Sequence, residues 1–210
     1  MCIRDSLYRA LVAPEQPISF RRLMDQGGVL LVNLAKGRLG EDSASVLGGL
    51  IAATIGLAAM SRADAPPASR RPFHLYIDEF QTFTTLSFVN MLPELRKYGV
   101  SLTLAHQYLH QLDPEVRHAV LGNAGTLISF RIGPEDASVI AAEFRPTFAT
   151  IDLMNLPNRN FYLKLMIDGA PSKPFSACLP THPNPKLRST SERECSEKLP
   201  RARKKPCDPG

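Results

Sequence analysis

Short apolar runs separated by turn residues punctuate the chain, and their period alternates between that of a helix and that of a strand. Ser19 to Asp25 reads as a short helix stopped by Gly27-Gly28. Val29 to Leu34 is an apolar run between turn signals and predicts a buried strand. Lys36-Gly37-Arg38-Leu39-Gly40 predicts a loop, and Asp42 or Ser43 can cap a long helix reaching about Arg62. That helix is apolar on nearly every side, as expected of one packed in a large core. Asp64 to Arg71, with Pro66-Pro67, predicts an exposed linker.

From there the alternation becomes regular. Phe73 to Ile77 predicts a strand. Phe88, Met91, Leu92 and Leu95 fall at i, i+3, i+4 and i+7, one face of a helix. Pro93 must kink that helix or sit in a first turn that starts late. Val100 to Ala105 predicts a second buried strand, Pro114 to Leu121 a helix, Thr126 to Arg131 a strand, and Pro134 to Glu143 a helix. Asn160 to Ile167, a turn at Asp168-Gly169, and Lys173 to Cys178 predict a β-hairpin. Strands alternating with helices imply crossover connections. The expected class is α/β, with a mostly parallel sheet covered on both faces and a hairpin at the end.

Composition changes this picture mainly at the ends. The 210 residues, 44% of them hydrophobic, suffice for one core, expected over residues 19–180. Residues 1–18 show no clear period, and Met1-Cys2-Ile3-Arg4-Asp5-Ser6 resembles a leader on reading frames that begin in sequencing-adaptor read-through. On that expectation the protein extends further upstream. Residues 181–210 are rich in Pro, Ser and charge, and are expected to be a disordered basic tail. They hold eight Lys/Arg and four acids, so the tail carries +4 of the net +5 and the rest only +1. Bulk charge therefore says little about nucleic acid on the folded part, and the tail could bind nucleic acid or acidic partners. Cys2, Cys178, Cys195 and Cys207 have no metal-site or framework spacing, and a reducing cytoplasm is the simplest compartment. Val46 to Met60 is uncharged but shorter than a membrane span and carries Gly48, Gly49 and Gly56, so it reads as a buried helix.

The candidate chemistry sits where strands end. In a parallel sheet the carboxyl ends share one edge, where ligands bind. Asp78 and Glu79 follow the strand 73–77, and Gln107 follows the strand 100–105. The Asp78 carboxylate is suited to hold Mg²⁺ through water, and Glu79 to orient and polarise an attacking water. Gln107 is suited to sense a γ-phosphate or align water. Arg96 lies near the end of the intervening helix, far from its own Asp78, and could reach a neighbouring subunit's nucleotide. Arg131, at the end of the next strand, is the competing candidate for a phosphate or neighbour contact. Lys36-Gly37-Arg38 is a candidate contact for phosphate or a DNA backbone. No G-x-x-x-x-G-K-[ST] phosphate loop occurs in the sequence.

In order, Asn33-Leu-Ala-Lys-Gly-Arg-Leu-Gly-Glu41, Leu75-Tyr-Ile-Asp-Glu-Phe-Gln81, Arg96-Lys-Tyr-Gly-Val100, Ala105-His-Gln-Tyr108, Gln111-Leu112 and Gly122-Asn-Ala-Gly-Thr-Leu-Ile-Ser-Phe-Arg131 resemble the C-terminal part of the motor domain of type IV secretion coupling ATPases, the TraD/TraG group, with HerA- and FtsK-like relatives. The resemblance covers residues 19–180. It implies a RecA-like fold and a hexameric ring that couples ATP hydrolysis, with Mg²⁺, to DNA movement. It makes Asp78 and Glu79 the Walker B acids, Gln107 the sensing glutamine and Arg96 a finger supplied in trans. It also implies partners at the secretion channel or relaxase, an accessory DNA-processing protein, and a cytoplasmic site at the inner membrane face through an N-terminal anchor. The phosphate loop and the anchor are absent from this sequence, so the fragment alone is expected to hydrolyse little. Two other readings stand beside this one: a repair or segregation translocase of the HerA/FtsK type, and a non-catalytic docking module on the same fold.

Overall fold

The computed structural model describes residues 18–83 and 86–180. The leader and the basic tail expected at the two ends lie essentially outside these residues. The described chain forms two compact units, one through Asn123 and one from Ala124.

The first unit begins with α1 (Phe20–Gln26). Ser19 caps it, its Oγ accepting from the Arg22 N–H at 3.3 Å. Gly27 ends it in the left-handed region (φ 70°), where a residue with a Cβ is strained. The Gly27 and Gly28 N–H groups then donate to the Met24 and Leu23 carbonyls, which satisfies the last turn.

The buried strand expected at Val29–Leu34 is not there. These residues take no regular structure, and Val29 and Leu31 are 86% and 92% exposed. A strand exists only against a hydrogen-bonding neighbour. Among the described residues no backbone bond supplies one. The expected 36–40 loop contains one helical turn, α2 (Lys36–Leu39).

The long helix, α3 (Glu41–Met60), has Glu41 and Asp42 in its first turn, where the helix dipole favours acids. Its inner face is built of small residues: Ala44, Gly48, Gly49, Ala52, Gly56 and Ala59 are buried. Gly48 admits the Phe83 ring, and a Cβ on Gly56 would lie 2.8 Å from Met91. The expectation of burial on nearly every side fails on the outer face, where Val46, Leu50 and Leu57 are 69%, 48% and 63% exposed. By length and composition the stretch Glu41–Asp64 could cross a membrane (mean hydropathy 1.8). Its glycine and alanine face is committed to the core.

Strand β1 (Phe73–Ile77) and strand β2 (Val100–Leu104) are parallel, with Phe73 opposite Val100 and Ile77 opposite Leu104. The crossover between them carries α4 (Leu86–Leu95), and Pro93 sits inside that helix near its end. Phe73, Leu75, Ile77, Val100 and Leu102 pack with Met24, Ile55, Phe88, Met91 and Leu95 in one core. The alternate residues His74, Tyr76, Ser101 and Thr103 are exposed, so the sheet is covered on one face, not on the two expected.

At the amino ends of these strands Arg62 is fully buried. It donates to Asp25 at 3.1 Å, to the Tyr98 carbonyl at 2.8 Å and to the Arg71 carbonyl at 2.7 Å. Chiefly the Arg21 hydrogen bond holds the Asp25 carboxyl below its ordinary range, against the opposing effect of burial, and Arg62 adds to it. The unit closes with α5 (Pro114–Asn123), whose first turn is capped by Asp113 accepting from the Glu115 N–H at 2.9 Å.

The second unit corrects the topology. Strand β3 (Leu127–Ser129) was expected to be a third parallel strand. It pairs antiparallel with β4 (Asn160–Lys164), which pairs antiparallel with β7 (Phe175–Cys178). Between β4 and β7, β5 (Met166–Ile167) and β6 (Ala170–Pro171) close around Asp168-Gly169. Helices α6 (Pro134–Phe144) and α7 (Thr150–Met154) complete it. Its core holds Ile140, Phe144, Phe148, Leu153 and Tyr162, with Phe148 stacked on Tyr162 at 3.7 Å.

Candidate functional site

The carboxyl ends of β1 and β2 are laced together by backbone. The Ala105 N–H donates to the Ile77 carbonyl at 2.9 Å, and the Phe80 N–H donates to the Ala105 carbonyl at 3.0 Å. Residues 78–80 and 105–107 therefore share one edge, as the parallel crossover requires.

Asp78 is exposed there, one oxygen accepting from the Glu79 N–H at 3.0 Å. Its other oxygen has no protein partner among the described residues. A single exposed carboxylate suits a hard cation that keeps most of its own water, as Mg²⁺ does. Glu79 adopts a left-handed conformation (φ 49°, ψ 43°), unusual for a residue with a side chain. The turn it opens, Phe80–Thr82, folds back so that Gln81 Nε2 donates to Glu79 Oε2 at 2.6 Å. From the β2 side Gln107 Nε2 donates to Glu79 Oε1 at 2.5 Å. The carboxylate is thus held at both oxygens by neutral amides. The Gln81 bond and then the Gln107 bond lower its pKa from the ordinary glutamate value. The nearby charges of Lys36 and His106 add to this, and partial burial opposes it. Phe80 meets the His106 ring edge to face at 5.2 Å.

Asp78, Glu79 and Gln107, singled out from the sequence, are brought together. Arg96 is not with them. It opens a 3₁₀ turn that leads through Gly99 into the first residue of β2, at the opposite edge of the sheet. Its side chain is exposed and, among the described residues, makes no hydrogen bond or ion pair. Arg131 lies in the second unit, two residues past the end of β3.

Sequence reasoning missed Gln81, whose amide at two residues' remove matches no pattern. It also missed what Lys36 does in the structure. Lys36 Nζ donates to Thr82 Oγ1 at 3.0 Å and lies 3.6 Å from Glu41. Lys36, Ser45, Gln81, Thr82 and Gln111 line an open polar cleft of about 390 Å³ beside the Glu79 turn.

Residues 72–143, which include Asp78, Glu79, Arg96, Gln107 and Arg131 but not Lys36-Gly37-Arg38, match the family described as the TraM recognition site of TraD and TraG. Over those residues the chain is similar to the TraD/TraG group. Solved structures agree in fold. The plasmid coupling protein TrwB in complex with ADP and Mg²⁺ superposes with a TM-score of 0.67 at 17% identity, over 81% of this chain and 45% of that one. TrwB with the non-hydrolysable analogue ADPNP gives 0.63 at 17% identity, over 80% and 44%. The genome packaging NTPase B204 from Sulfolobus turreted icosahedral virus 2, in complex with AMPPCP, gives 0.50 at 17% identity, over 78% and 73%. The chain spans less than half the length of the TrwB chains it matches. No curated protein sequence matches it.

Proposed function

We propose that the chain is the C-terminal part of a RecA-like motor domain from a conjugative coupling protein, which hydrolyses ATP to drive DNA movement through a hexameric ring. The observation that carries this is the Glu79 carboxylate, held by Gln81 and Gln107 beside the exposed Asp78 at the carboxyl edge of two parallel strands. Asp78 holds Mg²⁺ through water. Glu79, kept ionised by its two amide donors, orients and polarises the attacking water. Gln107 reads the γ-phosphate. When bound, Mg²⁺ supplies neutralisation of charge on the phosphate oxygens. Arg96, exposed at the far edge, reaches the nucleotide of a neighbouring subunit, and Arg131 makes a phosphate or neighbour contact. The phosphate loop comes from a part of the protein outside this sequence.

The ligands of TrwB support the choice of nucleotide and Mg²⁺. The TraD/TraG match supports conjugation over repair or segregation, and an accessory partner that docks on residues 72–143. It also supports a relaxase or secretion channel downstream, and a cytoplasmic location at the inner membrane face. The test is ATP hydrolysis by a longer protein that contains this segment and a phosphate loop. Glu79→Gln is expected to lower turnover by roughly a hundredfold or more. Near-normal turnover would refute the role of Glu79.

A further inference from the structure

The turn that carries Gln81 is fastened from outside by one stretch of chain. Ser45 Oγ donates to the Thr82 carbonyl at 2.6 Å, and Lys36 Nζ donates to Thr82 Oγ1 at 3.0 Å. Glu41, 3.6 Å away, steadies the ammonium. Thr82 adjoins Gln81, so where Thr82 sits decides whether the Gln81 amide reaches Glu79. Glu79 itself has left-handed backbone, a conformation that persists only when its surroundings over-determine it. The backbone bonds to β2 fix Ile77 and Phe80. Beyond Phe80, among the described residues, the side-chain hydrogen bonds that tie this turn to another stretch of chain come from Lys36 and Ser45.

We propose that Lys36 is a positioning residue: by gripping Thr82 it fixes the Phe80–Thr82 turn and so holds the Glu79 carboxylate between Gln81 and Gln107. This rests on the catalytic reading of Glu79 only for its consequence, not for its geometry. A lysine suits the task. Its ammonium offers three donors on a long stem, enough for Thr82 and Glu41 together. Its side chain is 43% exposed, so its removal leaves the core intact. Shifting a water-orienting group by about 1 Å can cost roughly a hundredfold in rate.

The experiment uses the 210-residue chain and needs no hydrolysis. The side-chain amide signals of Gln81 and Gln107, assigned by Gln81→Ala and Gln107→Ala, report hydrogen bonding to the Glu79 carboxylate in an ¹⁵N NMR spectrum. Glu79→Ala gives their positions with the carboxylate gone. Lys36→Met and Thr82→Val are each expected to move the Gln81 signal toward that reference. Lys36→Arg, which keeps donor and charge, should leave it in place. Unmoved Gln81 and Gln107 signals in both Lys36→Met and Thr82→Val, with the remaining spectrum that of a folded chain, would overturn the proposal. In the longer ATP-hydrolysing protein, Lys36→Met should lower kcat roughly tenfold or more with little change in KM, and Lys36→Arg should restore it. If Glu79→Gln hydrolyses normally while the amide signals respond as stated, the catalytic reading fails and the positioning stands. If Glu79→Gln is inactive and the signals do not respond, the positioning fails alone.

Discussion

A carboxylate held by two neutral amides keeps its charge and its direction at once, whereas a cation in the same place would hold it but cancel its field. Glu79 is in the first situation. Its place was legible because an acidic pair after a short apolar strand, and a glutamine after the next, must meet if the two strands are parallel. Gln81 was not legible, since only the folded turn brings its amide back. Tyr162 poses the opposite problem in the second unit. It is fully buried, and its hydroxyl has no partner among the described residues. Burial, with a smaller effect from Asp152, pushes the phenol up from 10.0 to about 12. Tyr162→Phe keeps the stack on Phe148 and removes an unsatisfied polar atom, a change expected to be neutral or to stabilise by about 1 kcal/mol. The sign with pH follows. The unfolded phenol ionises near 10 and the folded one near 12, so wild-type stability falls as pH rises from about 10 and stops falling above about 12. Urea unfolding midpoints at pH 7 and across the alkaline range check both parts. A Phe variant much less stable than wild type at pH 7 would mean that the hydroxyl does have a partner.

Among elements, the βαβ unit and the helices α1, α5 and α6 were readable, whereas the pairing of β3 and the covering of α3 were not. The run Thr126–Arg131 announces a strand, but a three-residue strand carries no mark of its direction. Its antiparallel pairing depends on β4 being hydrogen-bonded beside it. Helix α3 was read as apolar all round, which is true of its composition and hides a division of labour. Its small residues face inward and let the Phe83 and Met91 side chains approach the backbone. This bears on Gly48. In an isolated helix Gly→Ala gains about 1 kcal/mol. Here the new methyl would fall within the Phe83 ring, and overpacking of this kind costs about 1–3 kcal/mol. The clash wins, so Gly48→Ala is expected to destabilise the chain by about 1 kcal/mol in denaturant unfolding. It should also disturb the amide signals of residues 80–82, because Phe83 directly follows that turn. A stabilised variant with unchanged turn signals would show that the ring has room to move aside.

For the molecule as a whole, the pattern of apolar residues records a demand for burial, and the structure shows how much of that demand is met. In the first unit it is met by one face of the sheet and one face of α3. It is not met at Val29, Leu31 and Val32, nor on the line Val46, Leu50 and Leu57, which helical geometry puts on one side of α3. This is why the buried strand at 29–34 was predicted from the sequence and is missing from the fold: periodicity counts apolar residues and cannot see which surface covers them. Large apolar side chains exposed in this number favour association. The 210-residue chain alone is therefore expected to bind a hydrophobic dye and to self-associate at micromolar concentration. The double variant Leu31→Lys, Leu57→Lys is expected to reduce both, in dye fluorescence and in sedimentation. Its effect on stability separates this account from its opposite. Substitutions at sites this exposed should shift the unfolding free energy by no more than about 0.5 kcal/mol, whereas an unpaired lysine forced into a packed core would cost several kcal/mol. If the double variant unfolds at markedly lower denaturant than wild type, these leucines are packed within the chain in solution and the exposed face does not exist. If it stays as stable and becomes monomeric, the exposed leucines are what drove the chains together.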